Sequence, residues 1–111
     1  MTDFAPRRSI TILTSAVEGA GAAFQPDTTD MAFQAGLKGT GALTGIVLIE
    51  VTNDKTDADS WMLFATINLS GTTTAFNGTR RLENSFTWVR ARIPTGGITG
   101  TGAIMTVSMG E

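Results

Sequence analysis

From Ser9 onward the chain runs in short apolar alternations of period two, punctuated by Gly, Asn, Asp and Pro. That is the pattern of strands and turns, not of amphipathic helices. "SITIL" sets Ile10 and Ile12 in phase. "LTGIVLIEVTND" places Ile46 and Leu48 on one face and Val47, Ile49 and Val51 on the other. A run apolar on both faces predicts a central strand with cover on each side. In "SWMLFATINLS" Trp61, Leu63, Ala65, Ile67 and Leu69 alternate with Met62, Phe64, Thr66 and Asn68, and the first set predicts the core face. "SFTWVRARI" sets Thr87, Val89, Ala91 and Ile93 against Phe86, Trp88, Arg90 and Arg92. "AIMTVSM" sets Ala103, Met105, Val107 and Met109 against Ile104, Thr106 and Ser108.

The connections are equally legible. "TNDKTDADS" is polar apart from Ala58 and predicts a solvent-facing loop. Asn77-Gly78, after "TTTAF", predicts a hairpin turn, because both residues tolerate positive φ. "TTDMAFQAGLKG" is ambiguous: Asp30 suits an N-cap and Phe33 and Leu37 have helical spacing, but Gly36 sits between them. It reads as a bulged strand or as one or two helical turns. The count is about seven or eight strands, so the expected fold is all-β, an antiparallel two-sheet β-sandwich or jelly roll. Residues 1–8 carry no periodicity and predict an N-terminal arm, with the β-sandwich domain spanning 9–111.

Composition narrows the function. Charged residues make up 16% of the chain, well below the roughly 25% usual in soluble domains. A surface so poor in charge costs little to desolvate and suits a protein packed against others. A net charge of −2 offers no basic field for nucleic acid. No apolar run reaches the ~18 residues that cross a bilayer, and "MTDFAPRRSI" lacks the order of a signal peptide, so synthesis in the cytoplasm with no membrane partner is expected.

Candidate chemistry is sparse. The sequence has neither His nor Cys, which removes the usual general base, the thiol nucleophile and the commonest transition-metal ligands. A carboxylate pair drawn from Asp27, Asp30, Glu50, Asp54, Asp57 and Asp59 could serve glycoside hydrolysis. Asp54, Asp57 and Asp59 could also suit Ca²⁺, but the loop lacks the glycine and glutamate of an EF-hand ladder and reads better as a solvated loop. The glycines of "TGGITGTGAIM" hold no phosphate: no lysine follows them, their order is G-x-x-G-x-G, and a strand follows where a helix is required. They read as a flexible link between strands. No catalytic residue, metal or cofactor is expected.

What remains is the face of Phe86, Trp88, Arg90 and Arg92. Trp and Arg standing outward together are types enriched at binding hot spots. The alternative puts Trp88 in the core and the arginines at its rim, their stems snorkelling.

The succession "TGIVLIEVTND", an acidic loop, "SWMLFATINLSG", "WVRARI", a Gly/Thr turn and "AIMTVSMG" resembles small β-sandwich proteins of tailed-bacteriophage virions. Within that group it is most similar to the jelly-roll cement or staple proteins that decorate the capsids of short-tailed phages. The likeness covers roughly residues 43–110. It implies a homodimer on the capsid exterior that binds the major capsid protein and clamps neighbouring coat subunits, with no catalytic residues. Trp88, Arg90 and Arg92 are then expected to contact a partner chain, and Phe4, Arg7 and Arg8 to order on assembly. A tail or neck role, or a carbohydrate-binding module stacking Trp61 or Trp88 on a sugar, are the other readings.

Overall fold

The computed structural model describes residues 9–27, 29–80 and 82–111. Seven strands form in chain order: β1 (Ser9–Ser15), β2 (Gly19–Ala20), β3 (Asp30–Thr52), β4 (Met62–Gly78), β5 (Leu82–Glu83), β6 (Trp88–Ile93) and β7 (Ile98–Gly110). The protein is all-β, with no helix among the described residues. Every strand pair is antiparallel, in a sheet curled nearly into a barrel, consistent with the expected sandwich or jelly roll.

β3 is the spine. One of its edges carries β4, from Gln34 opposite Gly78 to Val51 opposite Met62. The other edge carries β7 along Ala32 to Gly45 and then β6 along Leu48 to Thr52. β1 extends the sheet beyond β7, β2 extends it beyond β6, and β5 pairs with Asp30 and Met31. The ambiguous segment "TTDMAFQAGLKG" is therefore strand throughout most of its length. Its alternate residues Met31, Phe33, Ala35 and Leu37 are buried and join Val47, Ile49 and Val51 in one core. Burial of that set outweighs the local helical spacing of Phe33 and Leu37.

The sheet turns back on itself at one level. β3 loses register with both neighbours between Lys38 and Thr44. At the same level Thr73 of β4 (φ 60°) and Gly102 of β7 (φ 62°) take left-handed backbone conformations, which β-branched residues seldom adopt and glycine adopts freely. This corner brings the inner faces together over Leu43, Ile67, Leu69, Ala103 and Met105. The glycines of "TGGITGTGAIM" thus divide into two structures. Pro94 to Gly97 is a tight turn, closed by Gly97 N donating to the Pro94 carbonyl at 2.8 Å, and Gly100 and Gly102 belong to the corner inside β7.

Several expectations are corrected. Asn77-Gly78 makes no turn: both residues lie at the end of β4, paired with Ala35 and Gln34, because β4 continues straight along β3. In β1, Ile12 is the extra residue of a bulge between Thr11 and Leu13, so Ile12 and Leu13 are both buried. A second bulge lies where Ile49 faces Ala65 but Glu50 faces Leu63, making Phe64 the extra residue. Beyond it the phase of β4 inverts, so Leu63 turns outward and is 62% exposed. Thr87 also lies exposed, ahead of β6, where its N–H donates to Asn53 Oδ1 at 3.0 Å. Phe86, expected on the outer face, packs against the core.

Candidate functional site

β6 keeps the alternation expected of it. Val89, Ala91 and Ile93 are fully buried, while Trp88, Arg90 and Arg92 stand half-buried on the outer face of the sheet. Of the two placements open to Trp88, the outward one is observed. Phe4, Arg7 and Arg8 lie outside the described residues.

Pairing builds the site. Trp88 faces Thr52 and Arg90 faces Glu50 across the β3/β6 ladder, and Arg92 is the next outward residue along β6. Arg90 Nε donates to Glu50 Oε1 at 2.9 Å, and Arg92 Nε donates to Oε2 at 3.1 Å. One carboxylate, with only 9% of its side chain exposed, thus holds two guanidiniums that are 21% and 36% exposed. Charge-assisted bonds of this kind are roughly twice as strong as neutral ones. The Arg92 bond is weakened by its solvent exposure.

Both indoles join the cluster. The Arg90 guanidinium carbon lies 4.2 Å from the centroid of the Trp61 ring, and Lys55 Nζ lies 4.0 Å from that of Trp88. These are cation–π distances. Trp61 was expected on the core face. The inverted phase beyond the Phe64 bulge leaves it on the outer side with Leu63 instead.

The structure thus brings Trp88, Arg90 and Arg92 together with Glu50, Trp61 and Lys55, partners that sequence reasoning missed. Glu50 carried a usable signal: an acid inside "IVLIEVT" sits on a strand that is otherwise apolar or Thr, and a buried carboxylate needs a cation. The expected cover on both sides of this run is complete on the inner side and partial on the outer, where Glu50 and Thr52 are buried, at 7% and 1% exposed. Val47, Ile49 and Val51 are buried, whereas Ile46 on the outer face is 38% exposed and Leu48 is half-buried.

The acidic loop spends its carboxylates on its own backbone. Asp54 Oδ1 accepts from Thr56 N at 3.1 Å and Thr56 Oγ1 at 2.6 Å, and Asp57 Oδ1 accepts from Asp59 N at 2.9 Å. Ser60 Oγ closes the loop, donating toward the carbonyls of Asp54 and Asp57 at 2.7 Å and lying 2.6 Å from Thr52 Oγ1. The Thr56 hydroxyl first, and then its N–H, hold the Asp54 carboxyl below the usual range. No group of three or more acids poised for a metal occurs among the described residues.

Two grooves, of about 520 and 560 Å³, lie on the other half of the sheet, and both are bordered by Phe76. Among the described residues Lys38 is the only titratable side chain lining either. The chemistry of the surface is at the Glu50 cluster instead. Comparison of the chain with protein-family models, with curated proteins and with solved structures gives no match.

Proposed function

We propose that the protein is a structural component of a bacteriophage virion, a decoration or staple protein that docks on the outer coat lattice and stabilises it. The carrying observation is the outer face at the Glu50 end. Ile46, Leu48, Leu63, Trp61 and Trp88 lie around the arginine pair of β6, and the outer side of β3, buried at Glu50 and Thr52, leaves Ile46 exposed and Leu48 half-buried, with Leu63 of β4 62% exposed. A docked surface would supply the missing cover. The low charge content, the absence of His and Cys and the resemblance over residues 43–110 support the same reading of a non-catalytic protein. Binding at each contact can be modest, since many contacts on a lattice act together.

The test is the occupancy of purified virions by the Leu63→Ser, Trp88→Ala double variant. Occupancy is expected to fall to background while far-ultraviolet circular dichroism stays unchanged. Full occupancy would sink the docking reading. A ring-sized copy number in place of a lattice-wide one would move the protein to a tail or neck. A sugar-binding role has less support, because a cation already covers one face of each indole.

A further inference from the structure

We infer that Arg90 and Arg92 form a receptor for a single carboxylate, an Asp or Glu side chain presented by the partner protein. The inference rests on the docking reading and names the chemistry of the contact. A guanidinium carries about five N–H donors. In both arginines Nε is committed to Glu50, and the Nη groups make no hydrogen bond with other described residues. Those donors belong to side chains that reach solvent.

The pair is also held in place before any ligand arrives. Glu50 fixes both guanidiniums from beneath, and Trp61 stacks on Arg90. Little side-chain freedom is left to lose on binding. Leu63, exposed beside Glu50, and the two indoles form an apolar rim that strengthens a charged contact once it is covered.

Charge selects the ligand. Two guanidiniums share one carboxylate, so one positive charge is left uncompensated, which matches a monoanion in the fork geometry of an Arg–carboxylate pair. A dianionic phosphate or a nucleic acid is a poorer match. The loop that follows β3 carries Asp54, Asp57 and Asp59 against Lys55 alone, and the whole chain carries −2. Both repel a polyanion.

The chain contains two Trp, both in this cluster, so their emission reports on the site directly. The experiment titrates the full chain with a short end-blocked peptide that carries one glutamate as its only charge, with the same peptide carrying glutamine instead as the uncharged control and inorganic phosphate as the competing anion. A saturable change in emission is expected with the glutamate peptide only. Arg92→Gln should weaken it about tenfold or more, and Arg92→Lys should fail to restore it because the planar fork is lost. The inference is overturned if the glutamate peptide gives no response, if Arg92→Gln responds like the parent chain, or if phosphate acts at lower concentration. A chain that occupies virions normally yet ignores the peptide fails this inference alone; one that loses no occupancy as the Leu63→Ser, Trp88→Ala variant fails the docking reading.

Discussion

At Glu50 a nearly buried carboxylate serves two cations, and its two arginines differ in how much they depend on it. Glu50→Ala removes the shared acceptor and leaves two guanidiniums facing each other, a loss of about 1–3 kcal/mol. Arg92→Ala removes a side chain more than a third exposed and should cost no more than about 1 kcal/mol. Urea unfolding should therefore place the Glu50→Ala midpoint clearly below that of Arg92→Ala. Equal midpoints would mean that Glu50 does not hold the pair. This residue was visible in the sequence as an acid, but its role was not, because the role depends on which residue of a strand 40 positions away lies opposite it.

At the scale of the element, alternation was a sound guide wherever the ladder is regular. β6 and the last turn-to-terminus run of β7 carry their buried sets as read: Val89, Ala91 and Ile93, then Ala103, Met105, Val107 and Met109. It failed where a strand takes an extra residue, at Ile12 and Phe64, since a bulge inverts every side chain beyond it and leaves no mark in composition. The corner left a partial mark, in its glycines, which were read as a link. Gly71 shows how tight that corner is: a Cβ there would strike the Thr74 backbone carbonyl of its own strand. Gly71→Ala should cost about 2–3 kcal/mol, because backbone and not a mobile side chain must give way. At Gly110 a Cβ would come no nearer than 3.9 Å to the Ala32 carbonyl oxygen, and Gly110→Ala should be neutral or stabilising by about 0.5 kcal/mol. Thermal unfolding of the two variants checks the contrast, and similar melting temperatures would refute it.

The curled sheet is flattened, with extents of 45 × 42 × 17 Å and a radius of gyration of 14.4 Å where about 13 Å is usual for this length. Its longest free border is β4, which pairs only with β3 among the described strands. The 17 residues from Met62 to Gly78 contain no charge and no proline, the devices by which proteins ordinarily guard an edge. Pairing of two copies along this border, in a homodimer of the kind the resemblance implies, would add no like-charge opposition about a two-fold axis. Sedimentation velocity should find a dimer that Thr66→Lys shifts toward monomer, and a parent chain that sediments as a monomer at every concentration would remove β4 from that role. The bulge at Phe64 bears on this border as well. Because Phe64 is the unpaired residue, deleting it would leave Ala65 opposite Ile49 and Leu63 opposite Glu50 in an unbroken ladder, so Trp61 and Leu63 would stay on the outer side and the arginine cluster would keep its rim.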